Sequence, residues 1–126
     1  MAVLGSLRFW FSPDGRISRF HYWAGTFVLL IVTIPLLIPT ELFVSAQSDT
    51  IDQAELILSI IMIWPGIALT TKRCHDRNRS GWFQLVVLVP ILGALWLLID
   101  LGALEGTKGT NRFGPDPIPG RGVLDV

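Results

Sequence analysis

The sequence predicts an all-α integral membrane fold, and three observations predict it. Apolar residues make up 51% of the 126 residues against a charged share of 16%, whereas a soluble domain carries about 25% charged residues. A water-exposed surface on so small a domain would be thinly covered by that charge. The apolar residues also gather into three long runs, and the Lys and Arg residues alternate between the connections. Net charge is zero, and the single cysteine excludes an internal disulfide framework.

Residues 1–21 open with Val3, Leu4, Leu7, Trp10 and Phe11 on a helical spacing, which predicts an interfacial helix lying apolar side down. Pro13-Asp14-Gly15 reads as a turn, and Ser18 as the N-cap of the next helix. The first hydrophobic segment is Tyr22 to Val44, the second Ala54 to Thr71 and the third Trp82 to Leu104. Roughly 20 helical residues cross a hydrocarbon core of about 30 Å. The first and third runs meet that length, and the second sits at the short limit. Val44-Ser45-Ala46 resembles a signal-peptidase site. The apolar run before it is far longer than the roughly 7–15 residues of a signal core, so a span is expected instead.

The N-terminal 21 residues carry Arg8, Arg16 and Arg19; the connection 45–53 carries no Lys or Arg; the loop 72–81 carries Lys72, Arg73, Arg77 and Arg79. Positive charge stays inside during insertion. The N-terminus and the basic loop are therefore expected in the cytoplasm and the acidic loop outside. For 82–104, length favours one crossing, which would export the polar tail 105–126. Pro90 and Gly93 in its middle leave a re-entrant hairpin as the alternative, with the tail inside.

Three short motifs, "GRISRFHYW" (15–23), "RCHDRNRSGW" (73–82) and "GTKGTNRFGPDP" (106–117), occur in an order and spacing that resembles the domain-of-unknown-function 805 family of small bacterial inner-membrane proteins. The resemblance covers residues 9 to 117. It carries over Gly15, Arg16, Arg19, Trp23, Arg73, His75, Asp76, Arg79, Ser80, Gly81 and Trp82, and then Asn111, Arg112, Gly114, Pro115, Asp116 and Pro117. Two departures stand out: Cys74 replaces the family's usual leucine, and Thr110 is inserted within a Gly-Asn step. The resemblance implies an inner-membrane address and no established activity.

The motif residues admit several chemistries. Cys74 and His75 supply too few ligands for zinc, which takes about four. Ser80, His75 and Asp76 have the residue types of a triad, but adjacent helical residues diverge by about 100° and no recognised catalytic motif is present. No catalytic residue, metal or cofactor is expected. Arg73 and Arg79 suit bidentate contact with a phosphate headgroup. Positive-inside bias, however, needs neither His75-Asp76 nor Ser80-Gly81-Trp82. The set Arg16, Arg19, Arg73, His75, Asp76, Arg79, Ser80, Trp82, Asn111, Arg112 and Asp116 therefore reads as a cytoplasmic clamp. In it Asp76 pairs with Arg16 or Arg19, Ser80 caps the third segment, and Arg112 and Asp116 join if the tail is inside. The expected partners are anionic lipid headgroups and another integral membrane protein or a second copy of the chain, with no nucleic acid. The expected function is a non-catalytic accessory or assembly subunit. An oligomeric transporter or channel, or an anionic-lipid-binding protein, is the alternative. Glu41, Glu55 and Asp100 lie near segment ends, which disfavours an ion path through a monomer.

Overall fold

The computed structural model describes residues 5–37 and 49–120. Its described residues are mainly helical, and the only β-type pairing among them is the isolated bridge between Asn111 and Gly114. Helix α1 spans Leu7–Phe11, α2 spans Arg19–Leu37 and α3 spans Asp49–Asp76. A 3-10 helix, Gly81–Leu88, then leads to α4, Leu92–Leu97, which runs on into a π-helical turn, Leu98–Ala103. The tail to residue 120 is irregular.

Helix α3 is the axis of the molecule. It packs against α1, α2 and the 3-10 helix. Its stretch Leu56–Asp76 is, among the described residues, the one long and apolar enough to cross a membrane. The expected boundaries shift at both ends. Residues 49–53, read as external loop, belong to the helix, as do Lys72 to Asp76, read as basic loop. Two causes extend the C-terminal end. Cations are favourable in a helix's last turn, and Asn78 at φ 57° supplies the left-handed residue that closes it, with Arg79 N–H donating to the Cys74 carbonyl at 2.9 Å. Residues 38–44 of the first expected span and 45–48 of the acidic loop lie outside the described residues.

The core is small. Phe9, Ile17 and Leu69 form it, with Trp10, Tyr22 and Leu29 packed around them. Gly25 of α2 lets these two helices approach, since a Cβ there would press on the Leu69 side chain of α3 at 3.0 Å. Helix α1 is shorter than its sequence pattern suggests and turns a different face inward. Phe9 is 5% exposed while Leu7 is 76% exposed. The reason is that α1 lies along α3: Trp64 donates from its indole to the Phe11 carbonyl at 2.9 Å, and Lys72 donates to the Arg8 and Phe9 carbonyls. Val3 and Leu4 lie outside the described residues.

The third hydrophobic segment is not one continuous helix, in contrast to the crossing favoured on length. Pro90 has no N–H to continue a helix, and Ile91 takes φ 63°, with Leu92 N–H donating to the Pro90 carbonyl at 2.6 Å. That is a γ-turn of the rare, strained hand. The chain reverses there, and the two legs pack together so closely that a Cβ on Gly93 would overlap the Val86 carbonyl. Both ends return to the same place. Gln84 near the start donates to Thr71 at 3.2 Å, and the Leu101 carbonyl near the end accepts from Arg73 at 2.6 Å. The hairpin's two feet thus stand side by side on the last turns of α3.

Candidate functional site: a buried polar clamp

At the C-terminal end of α3, Asp76 and Arg73 are 1% and 0% exposed. The Asp76 carboxylate takes Arg16 Nε at 3.1 Å and Nη2 at 2.9 Å on one oxygen, and Arg73 Nη1 on the other. One buried carboxylate between two guanidiniums leaves an uncompensated positive charge, which a buried site tolerates only if dipoles replace water. Backbone carbonyls do so. Arg16 also donates to Gly109 at 2.6 Å, to Gly114 at 3.1 Å and to Thr107. Arg73 also donates to Leu101 at 2.6 Å, to Leu104 at 2.6 Å and to Ile17 at 3.5 Å.

These carbonyls belong to a chain end that cannot satisfy itself. The last turn of any helix leaves about four acceptors without intrahelical donors. Here five consecutive carbonyls each receive a side-chain donor. Leu101 and Leu104 take Arg73, Gly102 takes the Trp23 indole at 3.1 Å, Ala103 takes Arg19 at 2.8 Å, and Glu105 takes Arg77. The donors come from α2, from α3 and from Arg77 just beyond its end, so the hairpin's return leg is capped by its neighbours. One residue on, Gly106 passes so near Asp76 that a Cβ would overlap the carboxylate.

The tail closes the other side. Thr107 N–H donates to the Asp76 carbonyl at 2.7 Å, and Asn111 Nδ2 to the His75 carbonyl at 2.9 Å, so two acceptors at the end of α3 are capped by the tail. Phe113 stacks on the His75 ring at 3.9 Å and 6°, and Arg112 reaches the Asn78 carbonyl at 3.2 Å. Asp116 accepts from the Gly109 and Ile118 amides, each at 2.9 Å, which folds the tail's own turn. A second ion cluster holds the hairpin foot: the buried Asp100 lies 3.3 Å from Arg77 and 3.1 Å from Arg79, and Arg79 also sits over the Phe83 ring at 4.2 Å.

Of the residues read from sequence, Arg16, Arg73, Asp76, His75, Asn111 and Arg112 meet at this end of the molecule. Ser80 Oγ accepts from the Trp82 amide at 3.4 Å and caps the 3-10 helix. Trp82 itself is 78% exposed and takes no part. Arg19 pairs with Glu105 at 3.1 Å rather than with Asp76. Arg73 is no headgroup ligand, because its guanidinium is spent inside the protein. The triad residue types are likewise scattered among other partners, with His75 Nδ1 on the Gly15 carbonyl at 3.1 Å. Among the described residues no group of three metal-ligating side chains occurs. Sequence reasoning missed Arg77, Asp100 and Gly106. Arg73, Asp76 and Arg77 stand at i, i+3 and i+4, the spacing of one helix face carried one residue past the end of α3, and that spacing would have found Arg77.

The sequence profile described as "Protein of unknown function (DUF805)" matches residues 10–115, the stretch that contains every clamp residue except Asp116. The chain belongs to the DUF805 family. It is 35% identical over 104 residues to inner membrane protein YhaH of Escherichia coli strain K12, covering 82% of this chain and 84% of that one. It is 34% identical over 104 residues to inner membrane protein YhaI of the same strain, with the same coverage. It is 32% identical over 133 residues to the E. coli K12 uncharacterized protein YiiR, covering 84% of this chain and 86% of that one. No solved structure matches. This DUF805 chain is accordingly a bacterial inner-membrane protein.

Proposed function

We propose that the protein is a non-catalytic, multi-pass accessory or assembly subunit of the inner membrane, with its N-terminus, basic loop and tail in the cytoplasm. The observation that carries this reading is the internal use of its polar motifs. Asp76, Arg16 and Arg73 are buried against one another and against carbonyls, so their polar groups are used to build a rigid cap. The surface left for work is apolar: Phe27, Ile31 and Ile34 on α2, Ile57, Ile60 and Ile61 on α3, and Leu92, Leu95 and Trp96 on the hairpin are all exposed. Such faces suit packing against the spans of another membrane protein, and the cap fixes their relative orientation. Lys and Arg abundance around the cap supports the cytoplasmic placement.

The test is purification of the tagged full chain from its native membranes in mild detergent, followed by native mass spectrometry. A stoichiometric membrane-protein partner, lost when Leu95 and Trp96 are changed to Ala while the chain stays folded, is the expected result. A chain that emerges alone, or only with copies of itself, overturns the accessory-subunit reading.

A further inference from the structure

A cleft of about 890 Å³ lies between α3 and the outgoing leg of the hairpin, within the roughly 300–1,000 Å³ range of small-molecule sites. Its polarity is graded. Ile63 and Ile67 of α3 face Leu85 and Val87 of the 3-10 helix along its length, while Asp14, His75 and Ser80 line the mouth. From Ile63 to His75 the helix rises about 18 Å, enough for much of an acyl chain. The apolar walls are themselves exposed: Ile63, Leu85 and Val87 all face outward. The cleft therefore opens to the surroundings of the helices rather than being sealed inside.

Its charge is unexpected. Arginines crowd this end of the molecule, yet among the described residues no Lys or Arg lines the cleft, and Asp14 is the one carboxylate there. The Asp14 carboxylate is exposed and takes the Ser12 hydroxyl at 3.3 Å. The His75 ring has Nδ1 on the Gly15 carbonyl; a carbonyl only accepts, so Nδ1 carries the proton and a neutral ring keeps a lone pair on Nε2. Ser80 Oγ accepts from the Trp82 amide, which leaves its own proton to donate. The mouth thus offers two acceptors and a hydroxyl donor; Lys72 lies near enough to act on Asp14, but its ammonium is held by the Arg8 and Phe9 carbonyls.

We infer that this cleft holds one phospholipid bearing a primary-ammonium headgroup, its acyl chain between Ile67 and Leu85 and its ammonium at Asp14. The ammonium supplies the N–H donors that Asp14 and His75 accept, and the phosphate takes the Ser80 hydroxyl. A headgroup of net negative charge would meet the Asp14 carboxylate in a cleft whose described lining holds no Lys or Arg. The lipid preference is therefore the opposite of the anionic choice that the basic sequence suggests. It is independent of the accessory-subunit reading, since it concerns a different face.

The test offers the delipidated, detergent-solubilised full chain equimolar palmitoyl-oleoyl phosphatidylethanolamine, phosphatidylcholine and phosphatidylglycerol, with bound lipid counted by native mass spectrometry. Phosphatidylethanolamine should be retained about tenfold over either competitor. Asp14→Asn should erase the advantage over phosphatidylglycerol, while Ile67→Trp, which fills the cleft, should reduce retention of all three. Thermal melts of both variants check that the fold persists, and Asp14→Glu should keep the preference. Equal or greater retention of phosphatidylglycerol, equal retention of phosphatidylcholine, or an Asp14→Asn chain with the original preference overturns the inference. So does a polypeptide cross-linked into the cleft of the native-membrane complex through a photoreactive residue at Leu85.

Discussion

The C-terminal end and the middle of α3 are built on opposite principles. At its C-terminal end charged side chains are buried and bonded to carbonyls from residues up to 98 positions away. Along its middle, apolar side chains such as Ile57, Ile60 and Ile61 stand exposed. In a water-soluble protein these roles would be reversed. The difference teaches that lipid replaces the hydrophobic core as the environment of the apolar residues. Specificity of folding then falls to the polar cap, where every hydrogen bond has a direction. Without water in the bilayer, unsatisfied backbone groups are expensive, so a chain that reverses at Pro90 must return to donors able to cap it.

The largest effect should therefore come from the cap's single shared anion. Asp76→Ala leaves two buried guanidiniums without their carboxylate and should destabilise the protein by about 3–5 kcal/mol, read as loss of folded protein in membranes or as a collapsed melting temperature in detergent. Arg73→Lys keeps the charge but abandons the fork that caps Leu101 and Leu104. A loss of about 1.5–3 kcal/mol is expected, with faster amide hydrogen exchange over 98–105 than over α2. Gly106→Ala forces the tail off Asp76 and should lower the melting temperature by an amount equivalent to about 1–3 kcal/mol. Phe113→Ala removes one stacked ring from His75 and should cost about 0.5–1.5 kcal/mol. At the bottom of the scale, Ile60→Ala on the exposed flank should stay within about 0.5 kcal/mol. If Ile60→Ala were as damaging as Gly106→Ala, the contrast between the middle and the C-terminal end of α3 would fail.

Much of this contrast was legible in the sequence. Charge totals and apolar runs give the membrane address, and the three motifs give the residues that meet. His75-Asp76 and Ser80-Gly81-Trp82 stand out because topology alone has no use for them. The route of 82–104 was less legible. Counting residues treats each as a helical rise of about 1.5 Å in one direction, whereas this segment runs from 82 to 88 in a 3-10 leg and then turns back. Pro90 and Gly93 marked the break, but what makes it tolerable is donated by Arg19, Trp23, Arg73 and Arg77, distant in sequence. The buried state of Arg73 was equally hidden. A row of basic residues beside a span looks the same whether its side chains face headgroups or carbonyls.

The most direct test of the clamp account is to ask where the tail lies relative to the basic loop. In a Cys74→Ser background, Asn78→Cys and Thr110→Cys place one reporter thiol on the exposed loop and one on the exposed tail. Each is probed with a membrane-impermeant maleimide added to intact cells stripped of their outer membrane, and then to inverted inner-membrane vesicles. The account predicts that both thiols react from the same side. Labelling of Thr110→Cys from the side opposite to Asn78→Cys would mean that 82–104 crosses the bilayer, and the clamp would be contradicted.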